Sequence, residues 1–194
     1  MFVLALIIGH LLGSIPIAVL VARRHRVDLH RTGDGNPGAW NALEQLGGRR
    51  AWPAFAGDGL KAAAATGIGW ALGGYDVAAA GGAGAMLGHA FPVQDPRRGG
   101  MAVMCFVGTV CALSPLTGAI AWTICAGVGV TKGFRWGARV GLVAYPLVQL
   151  AVDPVERVIV TGALMCLMGL LFLAARRRRR SGRARSATAA PRSS

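Results

Sequence analysis

Apolar residues run in long blocks along this chain, and polar residues collect in short segments between them. Phe2 to Ala22 holds no Asp, Glu, Lys or Arg, and neither does Val77 to Gln94. Gly99 to Thr131 is uncharged throughout, and Ser114-Pro115 divides it near its middle. A helix needs roughly 20 apolar residues to cross a bilayer's hydrocarbon core. The 99–131 block therefore predicts two helices packed as a hairpin. Val140 to Val152 is short and apolar, and Val158 to Ala175 is long enough to span. Ala51 to Gly74 is also apolar but carries Asp58 and Lys61. The pattern predicts an all-α integral membrane protein with seven transmembrane helices. It forms one domain over 1–175, with polar loops at 23–50, 94–100 and 132–139, and a basic, disordered tail over 176–194.

Composition agrees with this reading. The 194 residues are 54% hydrophobic and 15% charged, with a mean hydropathy of +0.49. A soluble domain carries about a quarter charged residues. Gly is abundant at 29 residues, as expected where helices approach closely in a membrane. Gly69-xxx-Gly73 and Gly84-xxx-Gly88 are candidate close contacts. Cys105, Cys111, Cys125 and Cys166 lie far apart inside apolar stretches, with no CxxC, and read as small core residues rather than as metal ligands or a disulfide frame.

The net charge of +13 would suggest nucleic acid until each charge is placed. Segment 23–50 holds six arginines, 94–100 two, 132–139 three basic residues and the tail eight, which is 19 of the 21. These segments alternate with the loops 73–76, 114–116 and 153–154, which hold none. Positive residues favour the cytoplasmic side. The N-terminus is then outside and the C-terminus cytoplasmic. The basic tail reads as a stop-transfer and lipid-headgroup anchor, with no nucleic-acid partner. Charges follow the first apolar block rather than precede it, which favours a retained first helix over a cleaved signal.

The unusual polar residues fall on the basic side. The stretch Arg31-Thr-Gly-Asp-Gly-Asn-Pro-Gly-Ala-Trp-Asn41 is too rich in Gly and Pro for a helix interior. Gly33, Gly35 and Gly38 can turn backbone N–H groups towards an anion, or simply make a flexible surface loop. Gly88-His-Ala-Phe-Pro92 is followed by Arg98-Gly-Gly100, where Arg98, Gly99 and Gly100 suggest a phosphate cradle. His89 suits either a buried structural role or the border of that cradle. Asp58 and Lys61, at i,i+3, share a helix face and predict an ion pair turned towards the basic loops. No serine elbow, Walker loop, HExxH or His-xxxx-Asp pair is present.

From about residue 8 to 139 the chain resembles the bacterial acyl-phosphate:glycerol-3-phosphate acyltransferases, the PlsY family. The resemblance rests on Leu12-Gly-Ser-Ile-Pro16, Gly33-Asp-Gly-Asn-Pro-Gly-Ala-Trp-Asn41, Asp58-Gly-Leu-Lys61, Gly88-His-Ala-Phe-Pro92, Arg98-Gly-Gly-Met-Ala102 and Ala112-Leu-Ser-Pro115. It implies a multi-pass enzyme of the bacterial plasma membrane that moves an acyl group from acyl phosphate to glycerol 3-phosphate, or a related polar acceptor, without cofactor or metal. It also makes Asn36 and His89 catalytic candidates, and Asp34 joins them by its place in the Gly-rich loop, where it would orient the acceptor hydroxyl or act as a base. Gly33, Gly35, Gly38, Asn41, Glu44, Asp58, Lys61, Arg98, Gly99 and Gly100 become substrate-binding candidates. Asp34 stands at the family's Ser position, Trp40 at a Thr, Glu44 at an Arg and Met101 at a Lys. The family's C-terminal Glu-Asn-Ile segment has no counterpart in 176–194. Those departures motivate an alternative reading, a catalytically silent membrane relative that binds lipid or a partner.

Overall fold

A computed structural model describes residues 1–188, with side chains to residue 181. Among the described residues the regular structure is helical, with no strand. Helices α1 (Phe2–Gly13) and α2 (Ile17–Arg24) form one rod broken at Ser14–Pro16. Proline lacks an N–H, so the ladder is interrupted there. Ser14 Oγ donates to His10 O at 2.8 Å and accepts the Val93 N–H at 3.2 Å. The break thereby ties the rod to the 88–100 stretch. Helix α3 (Ala39–Leu46) is short, bounded by Gly38 and by Gly47 at φ +76°. Its inner face is Ala39, Asn41 and Ala42.

Helices α4 (Gly48–Gly73) and α5 (Tyr75–Ala90) are joined at Gly74, whose φ of +82° suits a residue without Cβ. Helices α6 (Val103–Leu113) and α7 (Pro115–Lys132) part at Ser114, with Pro115 in the first turn of α7, where its missing N–H costs nothing. Helices α8 (Phe134–Val152) and α9 (Val155–Thr188) are the last elements among the described residues. Every apolar block in the sequence thus falls on a helical rod. Two rods, 2–24 and 155–181, are long and apolar enough on their own to cross a membrane.

Two expectations are corrected. The 132–139 loop is a turn at Gly133, φ +91°, and α8 starts at Phe134 rather than near residue 140. Gly137 explains the early start, since it packs against Cys125 O and Gly129 of α7. The basic tail is not disordered over 176–188, because α9 continues to Thr188. Arginine is a good helix former, and Arg178 and Arg179 find partners on the bundle. Residues 189–194 of that tail lie outside the described residues.

Helix α5 is the central element, packed against α1, α4, α6 and α9. Its small residues let α1 approach: a Cβ on Gly84 would fall 2.2 Å from Leu6 O, and one on Gly88 2.0 Å from His10 O. Gly69 meets the Val77–Ala78 backbone in the same way. The anticipated close contacts therefore exist. Outward positions are large and apolar, among them Ile7, Leu11, Leu60, Leu147, Ile159 and Leu170, while Asn41, Asp58, Lys61 and Gln149 are buried. That inverted distribution is what a lipid-facing exterior requires.

Contacts gather the basic segments at one end. Arg135 reaches Glu44, Arg178 reaches Pro96 O, and Arg179 reaches Asn36. The intervening loops meet at the other end, where Thr117 bonds Asp153 and Tyr75 bonds Arg157 O.

Candidate active site

The site grows from the Gly-rich loop between α2 and α3. Gly33 and Gly35 have φ of +59° and +74°, so the loop turns where only glycine turns without strain. Asp34 Oδ1 accepts the Asn36 N–H at 2.8 Å, closing an Asx turn. Buried Asn41, on α3, directs its amide nitrogen at the carbonyls of Leu29, Thr32 and Asn36, each at 3.0 Å. One side chain thus holds three points of the loop, and Gly33 lies so close that a Cβ would strike Asn41 Oδ1. His30, in the same segment, has its pKa lowered by partial burial and then by the nearby Arg98 cation.

Beneath the loop lies a buried polar cluster. Lys61 Nζ sits 2.8 Å from Asp58 Oδ1, donates to Ile15 O at 2.8 Å and stands 3.0 Å from His89 Nδ1. Ile15 O is available because the first rod breaks there. Gly99 and Gly100 pack on Ala90 O and on the His89 ring, and the Gly100 N–H donates to His89 O at 2.9 Å. That N–H is therefore committed within the chain, contrary to its expected role facing an anion.

Loop and cluster open into one cavity of about 900 Å³. Its polar end has Asp34, Asn36, Gly38, Asp58 and His89. Its long limb runs past Val103, Phe106, Val110, Gly118, Ala121 and Tyr145 between α6, α7 and α8. A polar mouth on a deep apolar limb suits a ligand with a charged head and a hydrocarbon chain.

The remaining candidates fall outside this lining. Asn41, Lys61, Gly99 and Gly100 support it from behind. Glu44 is exposed, accepting the Trp40 indole N–H at 2.8 Å and pairing with Arg135 at 3.2 Å. Trp40 in turn stacks on Phe134. Arg98 is exposed and 3.9 Å from Asp95. The sequence reading missed Arg176, which lines the cavity, and Arg179, which donates to Asn36 Oδ1 at 2.9 Å. Nothing in the spacing of an arginine run signals that it folds back onto a loop some 140 residues earlier.

A family model described as glycerol-3-phosphate acyltransferase matches residues 3–186. The chain belongs to the glycerol-3-phosphate acyltransferase family. A family member from Halorhodospira halophila is 36% identical over 151 residues, 76% of this chain and 75% of the relative. One from Thermoanaerobacter pseudethanolicus is 39% identical over 149 residues, 76% of this chain and 75% of the relative. Both are named glycerol-3-phosphate acyltransferase. The fold also matches the crystal structure of PlsY (YgiH), an integral membrane glycerol 3-phosphate acyltransferase, in its glycerol 3-phosphate form. The TM-score there is 0.74 at 27% identity, over 96% of this chain and 92% of that one. The lysophosphatidic acid form gives 0.71 at 26%, over the same shares. This chain is accordingly an all-helical membrane acyltransferase of that family.

Proposed function

We propose that this acyltransferase moves a fatty acyl group from acyl phosphate to the 1-hydroxyl of glycerol 3-phosphate, giving lysophosphatidic acid and inorganic phosphate. The observation that carries the reading is the cavity's two-part character, a polar mouth around Asp34, Asn36 and His89 on an apolar limb ending near Tyr145. The limb takes the acyl chain and brings the carbonyl carbon to the mouth. The acceptor hydroxyl attacks that carbon, the carbon–oxygen bond to phosphate breaks, and phosphate leaves with the electron pair. Asp34 or the departing phosphate takes the hydroxyl proton. The His89 imidazole and loop N–H groups donate to the oxygen on which negative charge develops. Phosphate is already a good leaving group, so positioning and charge stabilisation suffice.

The same reading places seven helical rods across a bacterial plasma membrane, N-terminus outside and C-terminus cytoplasmic. It is supported by the basic segments meeting at one end of the bundle. The active site then opens to the cytoplasm, where phosphorylated polyols are available.

The test is acyl transfer by the full chain in lipid nanodiscs, supplied with palmitoyl phosphate and glycerol 3-phosphate and read by mass spectrometry. Lysophosphatidic acid, with kcat lowered about a hundredfold or more by His89→Ala, is expected. A folded sample that forms no acylated product with this pair overturns the proposal.

A further inference from the structure

The proposed substrates both carry a phosphoryl group, so the cavity mouth needs a cation. Two carboxylates, Asp34 and Asp58, line it, and among the described lining residues the one Arg or Lys is Arg176. Four other cations stand outside this lining and face carboxylates, Lys61 in a buried pair and the three arginines in exposed ones. Lys61 is paired with Asp58, Arg135 with Glu44, Arg98 with Asp95 and Arg31 with Asp28. Arg176 lies with its guanidinium 5.7 Å from the Phe172 ring centroid, one turn earlier on α9, and Phe172 also lines the cavity.

The residues that follow hold this part of α9 in place. Arg178 donates to Ala90 O at 2.9 Å and to Pro96 O at 3.0 Å, with its guanidinium 4.4 Å from the Phe91 ring centroid. Arg179 donates to Asn36 Oδ1 at 2.9 Å. The end of α9 is thus pinned to both stretches that frame the mouth, the Gly-rich loop and the segment after α5. A headgroup anchor has no need of such specific partners on the bundle.

We infer that Arg176 is a substrate-binding residue that receives a phosphoryl group at the cavity mouth, with Arg178 and Arg179 as positioning residues. The inference rests on the acyl-transfer reading and adds to it a cation in the cavity lining itself. Guanidinium and phosphate form paired, charge-assisted hydrogen bonds, so the site discriminates a phosphorylated ligand from its neutral counterpart.

The experiment compares the full chain with Arg176→Gln, Arg176→Lys and Arg177→Gln in nanodiscs. Arg177 is exposed and does not line the cavity, so its variant serves as the charge-matched control. Expected is a KM raised about tenfold or more in Arg176→Gln for one phosphorylated substrate only, kcat changing less, and partial rescue by lysine. A rise for glycerol 3-phosphate assigns the group to the acceptor, and a rise for palmitoyl phosphate assigns it to the donor. Equal loss for both substrates, or no change for either, overturns the inference. Should the wild type form no lysophosphatidic acid, the transfer reading fails by itself. Calorimetric binding of inorganic phosphate then decides the inference: weakening of about tenfold in Arg176→Gln upholds it, and equal or absent binding overturns it.

Discussion

Lys61 Nζ stands 3.0 Å from His89 Nδ1, and that contact selects the imidazole tautomer. An ammonium has donors only, so Nδ1 accepts and the ring proton resides on Nε2. Nε2 lies on the Gly100 side of the ring. The buried lysine thereby leaves the ring N–H of a histidine 28 residues away on its Gly100 side.

Lys61→Met leaves the Asp58 carboxylate buried without a countercharge. Breaking a buried pair from one side costs about 3–5 kcal/mol. A markedly lower midpoint of thermal unfolding in detergent is expected. Lys61→Met combined with Asp58→Asn restores part of it, because no lone charge remains. A double variant as unstable as the single one contradicts this account.

Gly100→Ala tests the histidine from its other side. The new Cβ would fall 2.2 Å from His89 Nε2, so the ring must turn away. The chain should still fold, with kcat lowered about a hundredfold, the size of losing one preorganised donor. Undiminished kcat would show that the ring's orientation does not matter.

The α1–α5 contact predicts opposite outcomes for two similar substitutions. Gly88→Ala drives a Cβ to 2.0 Å from His10 O and forces the helices apart, costing about 1–3 kcal/mol. Gly127→Ala, in α7, meets nothing within 4 Å and gains up to about 1 kcal/mol of helix propensity. Unfolding midpoints measured side by side should fall for the first and hold or rise for the second.

Asn41→Ala removes the donor that holds Leu29 O, Thr32 O and Asn36 O. Thr32 O keeps the Gly35 N–H, but leaving the other buried carbonyls unpaired costs about 1–3 kcal/mol. The loosened loop should raise the KM for glycerol 3-phosphate more than that for palmitoyl phosphate. Faster amide hydrogen exchange over 29–36 is the structural readout.

Much of the architecture was legible because helix-forming apolar blocks announce themselves locally. Ser114-Pro115 marked a real break, and Gly84 and Gly88 marked a real close contact. The Asp58–Lys61 pair followed from one helical turn. Its third member, His89, could not be read from spacing, since α5 brings it there by packing. Glu44 shows the limit of reading by motif position. Its carboxylate turns to Trp40, one turn earlier on α3, and to Arg135, a partner set by where α8 begins. That beginning was misplaced because residues 134–139 hold charges that looked like a loop, whereas Gly133 alone makes the turn. The contacts of Arg178 and Arg179 were not legible for a related reason: composition describes how strongly a segment prefers water, not which carbonyls await it.

The docking of Arg178 and Arg179 also orders events in time. Residues 176–179 leave the ribosome after every other segment that lines the cavity. The nascent chain therefore assembles its helices in the bilayer while the mouth still lacks its last side. Only when α9 has emerged past Arg179 can the loop at Asn36 and the stretch at Ala90 be latched together, so the mouth closes after every other wall of the cavity has been made.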